Sequence, residues 1–146
     1  MKIQTTRFDE IEIEPDDILF FRNGIFGFEQ CRHWVLLADA DNQAVAWLQS
    51  IQKAETALPV VSPRRFVKDY RVRMEKDDLE ALMLDGSEHS YVLVVVGRDQ
   101  DSLTLNLRAP IVINLDRRLG AQVVTTDNQP LQYDLAALPT AHRRSA

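Results

Sequence analysis

Two segments of this chain alternate apolar and polar residues strictly, and this period of two constrains the fold more than any other feature of the sequence. The segments are 10–14 (EIEIE) and 103–107 (LTLNL). Successive side chains of a strand point to opposite faces, so Ile11 and Ile13 share one face and the glutamates share the other. Such alternation is typical of antiparallel strands with one buried and one wet face. We therefore expect the isoleucines and leucines of these segments to face a core.

Most of the remaining chain also favours short strands. Segments 34–37, 91–96 and 111–113 are apolar on both faces and rich in β-branched or aromatic residues, which predicts buried strands. Pro59 lies inside another apolar segment and indicates an edge strand or a bulge, because proline cannot donate a hydrogen bond to a ladder. Further strands are predicted at 2–5, 18–21, 44–50, 56–62, 71–74 and 122–125.

One short helix is predicted near 77–84. Asp77 is a suitable N-cap, and Glu80 follows three residues later, as in a capping box. Gly86 can supply the left-handed residue that ends the helix. Three apolar residues then share one helical face at the expected spacing: Leu79, Leu82 and Met83.

About ten short strands and one helix predict a mainly β protein with a small antiparallel β-barrel-like domain. Strands at this density need closure or sheet-on-sheet packing to protect their edges. The chain has 146 residues, which is one domain's length, and we place that domain at 1–138. Segment 139–146 shows no periodicity, so we expect a flexible C-terminal tail there.

Charge is concentrated at the start of the chain. Residues 1–50 carry four Lys or Arg against nine Asp or Glu, a net of −5, which equals the net charge of the whole chain. This acidic balance disfavours direct binding to nucleic acid, which requires cationic surface. The excess is either a solvated surface or a face that steers a basic partner. Its members near the first alternating segment are Asp9, Glu10, Glu12, Glu14, Asp16 and Asp17.

The sequence also predicts a cytoplasmic protein. No apolar run approaches the roughly 18 residues of a membrane span, and the first ten residues lack the apolar stretch of a signal peptide. The single cysteine, Cys31, cannot form an internal disulfide. We therefore expect no membrane association.

No constellation of residues predicts catalysis or a metal site. The chain lacks a phosphate loop, a dinucleotide fingerprint and a Gly-x-Ser-x-Gly elbow. Cys31 and His33 are two possible ligands on one side of a strand, but two ligands do not make a site, and Cys31 suits a small buried position. We expect no cofactor. The loop at 24–29 (GIFGFE) is the unusual feature, since Phe26 and Phe28 either plug a barrel end or anchor a partner.

Several segments, taken in order along the chain, resemble the bacterial flagellar assembly factor FliW family. The most specific is NLRAPIVIN at 106–114, followed by GAQVV at 120–124. The others are FDEIEI at 8–13, GIFGFE at 24–29, WLQS at 47–50, and DY at 69–70 shortly after Pro63. The ordered set, which covers roughly 1–125, carries the resemblance. At position 26 this chain has Phe where members of the family usually have Pro.

The resemblance implies a small β-barrel-like protein that is not an enzyme. Proteins of this family bind newly made flagellin in the cytoplasm, and they also bind the RNA-binding translational regulator CsrA. The two partners compete, so export of flagellin frees the factor to capture CsrA and relieve its repression of flagellin translation. We expect a monomer that contacts neither nucleic acid nor a membrane directly.

Two sets of residues are candidates for contact with these partners. The terminal segments of flagellin in this family's biology are amphipathic helices, which need aromatic or aliphatic anchors. The candidates around the loop and at the aromatic positions, most of which we expect to be core, are Phe26, Phe28, Glu29, Trp47, Phe66 and Tyr70. A regulator that binds RNA must carry cationic surface, which an acidic face attracts. The acidic candidates are Glu12, Glu14, Asp16 and Asp17.

Two alternatives of other classes stay open. One is a small β-barrel enzyme or ligand-binding protein whose site is assembled from dispersed residues; a buried pair of titratable groups in a large pocket would support it. The other is an oligonucleotide-binding barrel, for which an acidic chain is a poor start.

Overall fold

The computed structural model describes residues 1–86 and 89–135, and this part of the chain consists of short strands and one helix. The predicted tail at 139–146 and the predicted domain end at 138 lie outside the described residues. In chain order the elements are β1 (Lys2–Thr5), β2 (Asp9–Glu12), β3 (Ile18–Phe21), β4 (His33–Ala38), β5 (Val45–Ser50), β6 (Ala57–Val61), α1 (Lys76–Ala81), β7 (Ser90–Asp99), β8 (Ser102–Leu105), β9 (Ile111–Asn114), β10 (Leu119–Gln122) and β11 (Tyr133–Asp134). Single 3-10 turns at Pro15–Asp17 and Pro63–Arg65 precede β3 and follow β6.

Seven of the strands close into a barrel. Strands β7, β6, β5, β4, β3, β10 and β9 pair in this order, and β9 pairs back with β7. All of these pairings are antiparallel except the parallel pairing of β3 with β10. Closure removes the exposed edges that so many short strands would otherwise present. The predicted mainly β, barrel-like fold with one short helix is confirmed.

The barrel interior holds the largest core cluster, and its members include Leu19, Phe21, Trp34, Leu48, Val60, Ile111 and Ile113. The rings of Phe21 and Trp34 meet edge-on with their centroids 6.3 Å apart. Between the two isoleucines, Val112 faces the opposite side of β9, where it packs with Leu82 and Val123 in an outer cluster. The segment 111–113 is therefore buried on both faces, as predicted, because the chain after Val72 covers the outside of the barrel.

The second half of β7 continues beyond the barrel wall. Its first residues pair with β9, whereas Val96–Asp99 pair with β8, which in turn pairs with β11. Residues 106–110 connect β8 to β9 and belong to no strand. Leu105 of this ribbon of β7, β8 and β11 belongs to a second outer cluster, together with Val61, Tyr70 and Val94.

Strands β1 and β2 form a separate hairpin beside β5. The ring of Phe8 lies edge-on to Trp47 at 6.2 Å, and the N–H of Thr6 donates to the carbonyl of Ala54 at 3.0 Å. Ile13 is buried, as the alternation predicts, whereas Ile11 is half-buried because the hairpin is outside the barrel. The alternating glutamates of this segment are exposed.

The helix starts before the predicted residue. Its N-cap is Glu75, whose backbone N–H donates to the Asp78 carboxylate at 3.4 Å, so the prediction of Asp77 as the cap is wrong. Glu75 and Asp77 are each followed three residues later by an acidic residue that can complete a capping box, so the sequence pattern does not distinguish the two caps.

The helix is also shorter than predicted, and it buries less. It ends at Ala81, and Met83 already takes a left-handed φ of 55° before Gly86 is reached. Of the three apolar residues expected on one buried face, Leu82 is buried, whereas Leu79 and Met83 are exposed. The reason is that a turn and a half of helix reaches the outer cluster only through Leu82.

The structure differs from the prediction at two of the predicted strands, 71–74 and 122–125. Segment 71–74 is not a strand, although the N–H of Arg73 donates to the hydroxyl of Thr125 at 2.9 Å and its carbonyl accepts from Thr126 at 3.1 Å. The strand predicted at 122–125 is β10, which ends at Gln122. Burial alternates along both segments, but residues 71–74 and 123–125 belong to no strand.

Two further expectations concern Pro59 and Tyr91. Strand β6 lies between β5 and β7, so Pro59 does not mark an edge strand. Pairing with β7 begins only at Val60, so the proline occupies a stretch that is unpaired on that side, where a missing N–H is tolerated. Tyr91, expected in a fully buried strand, is 51% exposed.

Candidate partner-binding surfaces

The loop at 24–29 presents one aromatic side chain from a constrained backbone. Gly24 has a φ of 66°, and a Cβ at this position would lie 2.6 Å from the carbonyl oxygen of Phe28, so the turn requires glycine. The N–H of Phe28 donates to the carbonyl of Ile25 at 2.6 Å, and the N–H of Phe26 donates to Oε1 of Gln122 at 2.8 Å. The side chain of Phe26 is 55% exposed. The loop therefore holds Phe26 outward.

Phe28 and Glu29 stabilise this loop. Phe28 is half-buried and meets Trp34 edge-on at 6.3 Å, so Phe28 caps the interior cluster and Phe26 does not. The carboxylate of Glu29 accepts the N–H of Gly27 at 2.9 Å, and this hydrogen bond holds the pKa of the exposed Glu29 carboxyl below its usual value.

An apolar groove of about 550 Å³ crosses the outer face of the sheet. Its polar lining comes from the turn 41–43 and from Arg65. Its apolar lining comes from Ala44, Val45, Val61, Phe66, Val96, Leu103, Leu105 and Leu135. Phe66 is thus the one member of the aromatic candidate set that lines this groove.

Leu103 departs from its predicted environment. The alternation at 103–107 predicts that all three leucines face a core, but Leu103 is 44% exposed and Thr104 is buried. Strand β8 belongs to the ribbon beside the barrel, so the face that carries Leu103 opens on the groove, whereas Thr104 lies opposite Gly97 in the ladder.

Trp47 belongs to a network between the hairpin and one end of the groove. Its indole N–H donates to Oδ1 of Asp39 at 2.9 Å, and the guanidinium of Arg7 lies 4.0 Å from the ring centroid. The other oxygen of Asp39 accepts the backbone N–H groups of 41–42 at 3.1 and 2.9 Å. These hydrogen bonds hold the pKa of Asp39 below its usual value, and the bond from Trp47 has the largest effect. One carboxylate therefore orders the turn that forms one end of the groove.

Tyr70 is a core residue rather than a surface residue. Its side chain is 2% exposed, and its hydroxyl donates to the carbonyl of Leu107 at 2.6 Å. Burial, with the charge of Asp127, raises the pKa of Tyr70 to about 12. The structure therefore removes Tyr70 from the candidate contact surface.

The four acidic candidates lie on the hairpin and on the 3-10 turn that follows it, and all are exposed. The N-terminal ammonium lies 3.4 Å from the carboxylate of Glu12. The carboxylate of Asp17 accepts the N–H of Glu14 at 2.8 Å, so Asp17 also caps the turn. Glu14 and Asp16 complete the acidic segment.

Comparison with known proteins finds relatives across most of the chain. The model of a family described as FliW protein matches residues 2–135. The chain belongs to the FliW family. It is 39% identical over 138 residues to the flagellar assembly factor FliW of Syntrophus aciditrophicus, across 92% of this chain and 87% of that protein. It is 37% identical over 130 residues to the flagellar assembly factor FliW of Bdellovibrio bacteriovorus, across 88% of this chain and 74% of that protein.

A solved FliW structure has the same fold. It is a crystal structure of the flagellar assembly factor FliW, and it matches this chain with a TM-score of 0.86 at 33% identity. The match covers 92% of this chain and 96% of that chain. The closed barrel described above is therefore the fold of the FliW family.

In this FliW-family chain the aromatic candidates do not converge on one site. Phe26 lies on the exposed loop, Trp47 beside the hairpin and Phe66 in the groove. Sequence reasoning missed the aliphatic lining of the groove, because each of those residues reads as an ordinary core position. The one signal was Leu103 at the start of an alternating segment, and alternation cannot show whether a face is covered.

No metal-binding cluster of side chains is present in the part of this FliW-family chain that the structure describes. Within 1–86 and 89–135, no three His, Cys, Asp or Glu side chains group in a way that could hold a metal ion. Cys31 is buried, whereas His33 is exposed at the start of β4. Across the same ranges, the helices are all too short or too polar to cross a membrane.

Proposed function

We propose that this FliW-family chain is a non-enzymatic flagellar assembly factor that binds newly made flagellin in the cytoplasm. When free of flagellin, the chain binds the translational regulator CsrA and antagonises it, and so couples flagellin export to flagellin translation. The observation that carries the proposal is the family match over residues 2–135, because the relatives are named flagellar assembly factors.

The apolar surfaces support a binding role for flagellin. A helix that docks on a protein needs a groove and aromatic or aliphatic anchors. The groove between Val45 and Leu103 and the exposed ring of Phe26 are surfaces of this kind. Among the described residues that line the groove, the ionisable ones are Asp41 and Arg65, so its lining favours binding over acid–base chemistry.

The acidic segment at 10–17 supports a basic second partner. An RNA-binding regulator carries cationic surface, and complementary charge raises the rate of association more than the final affinity. The carboxylates of Glu12, Glu14 and Asp16 are exposed on this segment and can act in this way without being buried.

Reconstitution with purified partners tests the proposal. The chain is mixed at micromolar concentration with the monomeric flagellin and the CsrA protein encoded by the same genome, and each mixture is analysed by size-exclusion chromatography with light scattering. We expect a monomeric chain alone, a complex with each partner, and release of CsrA from its complex when flagellin is added. A chain that retains neither partner would contradict the proposal.

A mobility-shift assay separates antagonism from direct RNA binding. CsrA bound to a flagellin leader RNA should be displaced by the chain, while the chain alone should not shift that RNA. A shift by the chain alone would instead support the oligonucleotide-binding alternative.

A further inference from the structure

Strand β6 covers only part of the edge of β7 that faces it. Within the described chain, the pairing of these two strands ends where Val61 lies opposite Val94. The same register would place Pro63 opposite Val92, but the chain enters its 3-10 turn at Pro63. On the other side of β7, the residues Ser90–Leu93 are paired with β9. The first residues of β7 therefore have one open edge.

The open edge carries main-chain groups of Ser90 and Val92. The hydrogen bonds of an antiparallel strand alternate between its two neighbours from one residue to the next. The carbonyl of His89 accepts the N–H of Leu115 in the register of β9, so Tyr91, two residues later, also bonds toward β9. Ser90 and Val92 therefore present their N–H and C=O groups to the side where β6 has ended.

The 3-10 turn at Pro63–Arg65 does not satisfy these groups. Pro63 has no N–H to donate, and its carbonyl accepts the N–H of Val67 at 2.8 Å. The carbonyl of Ser62 accepts the N–H of Arg65 at 3.2 Å. Across the described residues, no backbone hydrogen bond joins this turn to the first half of β7.

A slot of about 430 Å³ lies between the turn and the open edge. Its walls are Ser62, Pro63 and Arg64 on one side and Ser90–Leu93 on the other, and none of these residues lines the groove described above. An extended chain rises about 3.3 Å per residue, so the edge offers roughly 13 Å of strand to a partner. The slot therefore provides the length and the open main-chain groups that the addition of a short strand requires.

The charge at the slot favours an acidic occupant. The described residues that line the slot include Arg64 and no carboxylate. The Nε–H of Arg64 donates to the carbonyl of Tyr70 at 3.1 Å, which anchors the guanidinium while its terminal N–H groups can serve another acceptor. Residues 64–76, which lead away from the slot, carry six Lys or Arg against two Asp or Glu, a net of +4 in a chain of net −5. Alternating N–H and C=O groups match a peptide strand, whereas a nucleic acid has no such backbone.

We propose that this slot binds an extended acidic peptide segment by strand addition to β7. Two residues of the peptide exchange N–H···O=C hydrogen bonds with Ser90 and Val92, and a carboxylate of the peptide pairs with Arg64. Pro63 creates the site, because the turn that it begins takes the chain away from the edge of β7. The inference goes beyond the proposed function and concerns a different surface.

A titration followed by nuclear magnetic resonance tests the strand addition. The probe is a synthetic peptide of about six alternating valine and glutamate residues, roughly 20 Å long when extended. Titrated into the isotope-labelled wild-type chain, it should shift the amide signals of Ser90 and Val92 most and saturate with a Kd below about 1 mM. The same peptide with N-methylated internal amides cannot donate to the two carbonyls, so it should bind at least about tenfold more weakly.

Three outcomes of this titration would overturn the proposal. They are the absence of saturable binding, equal affinity of the methylated and unmethylated peptides, and shifts confined to the turn 41–43 of the groove. Each of these outcomes leaves the proposed function intact, because the slot shares no residue with the groove, the loop 24–29 or the acidic segment at 10–17.

A matched pair of arginine substitutions tests the charge pairing. Arg64→Gln removes the charge that lines the slot, whereas Arg71→Gln removes an equal charge at an exposed arginine of the same basic stretch outside the slot. Circular dichroism and melting temperature check the folding of both variants. We expect Arg64→Gln to weaken binding of the glutamate peptide by about fivefold or more, and Arg71→Gln by less than about twofold.

A peptide of reversed charge gives a readout that needs no variant. An alternating valine and lysine peptide of the same length should bind the wild-type chain at least about tenfold more weakly than the glutamate peptide. Equal affinity of the two peptides would show that the slot does not select an acidic strand. Equal losses in the two arginine variants would show that Arg64 does not contact the peptide. Either result contradicts the proposal as stated.

Discussion

Gly120→Ala tests the seam at which the barrel closes. Gly120 lies on β10, between β9 and the parallel strand β3, where it pairs with Phe21. A Cβ on Gly120 would lie 2.4 Å from two atoms of the Phe21 ring and 2.9 Å from a third. The backbone of Gly120 is not in the left-handed region, so only the lack of space excludes a side chain.

The expected destabilisation follows from two opposing effects. Where the backbone permits it, Gly→Ala stabilises a protein by about 0.4–1 kcal/mol, because alanine restricts the unfolded chain. Carbon atoms prefer separations of about 3.5–4.0 Å, so the Phe21 ring would have to move by roughly 1 Å or more. The ring is fully buried in the interior cluster, and overpacking of this kind typically costs about 1–3 kcal/mol. We therefore expect a net loss of about 1–2 kcal/mol in the free energy of unfolding.

Urea unfolding followed by circular dichroism and tryptophan fluorescence measures this loss, since Trp34 lies against Phe21. Gly97→Ala is the matched control. Gly97 also lies in a strand with a permissive backbone, and its added Cβ would meet only the Thr104 hydroxyl at 3.1 Å. We expect the control to change stability by no more than about 0.5 kcal/mol.

A double mutant shows whether the ring contact causes the loss. Phe21→Leu removes the ring atoms that the new Cβ would meet. Gly120→Ala should therefore cost at least about 1 kcal/mol less in the Phe21→Leu background than in the wild type, a coupling typical of residues in contact. If Gly120→Ala is as stable as the wild type and shows no coupling, β3 and β10 are not packed as described, and the reasoning about barrel closure is refuted.

Four further predictions concern the core, the buried hydroxyl, acid stability and the acidic segment. Ile113→Ala should lower the free energy of unfolding by about 2–5 kcal/mol, because Ile113 is fully buried in the barrel interior, and a loss under about 1 kcal/mol would contradict this. Tyr70→Phe should cost about 1–3 kcal/mol in the same assay, because it leaves the carbonyl that accepts from its hydroxyl without that donor. The pKa of Asp39 is lower in the folded state than its usual value, so its contribution to stability is present above the usual Asp pKa and is lost as the pH falls through the folded-state pKa. Asp39→Asn should therefore make the decline of Tm below about pH 4 less steep. An unchanged slope of Tm against pH would contradict this prediction. The rate of association with CsrA should fall steeply with added salt, while the rate of dissociation changes little. Stopped-flow kinetics should show a weaker salt dependence of the association rate after three carboxylates of the acidic segment at 10–17 are changed to amides. An equal salt dependence of the variant and the wild type would show that this segment does not steer association. The three are Glu12, Glu14 and Asp16.

The strand content of the fold was predictable because strand periodicity is local. The segment 111–113 is apolar at every position, and the structure buries it on both faces, between the barrel interior and the chain after Val72. The alternation at 10–14 placed its glutamates in solvent as predicted. The face to which each side chain points depends only on the geometry of an extended backbone, which is the same in every fold.

The helix shows where local reasoning ends. The presence of a helix followed from spacing, but two acidic residues could serve as its cap, and the structure uses Glu75. Whether Leu79, Leu82 or Met83 was buried depended on which of them reached the outer cluster, and only Leu82 does. A capping pattern is satisfied within a few residues, whereas burial needs a partner from a distant part of the chain.

The sequence by itself determined the β class, the helix near residue 77, the apolar strand at 111–113 and the acidic segment at 10–17, because each depends on the side chains and backbone of a short stretch. Only the tertiary structure decided that β7 is shared between β9 and β8, so that the ribbon stands beside the barrel wall. That arrangement exposes Leu103, buries Thr104 and opens the groove. The physical reason is that alternation states which residues share a face, while long-range strand pairing decides whether another part of the chain covers it.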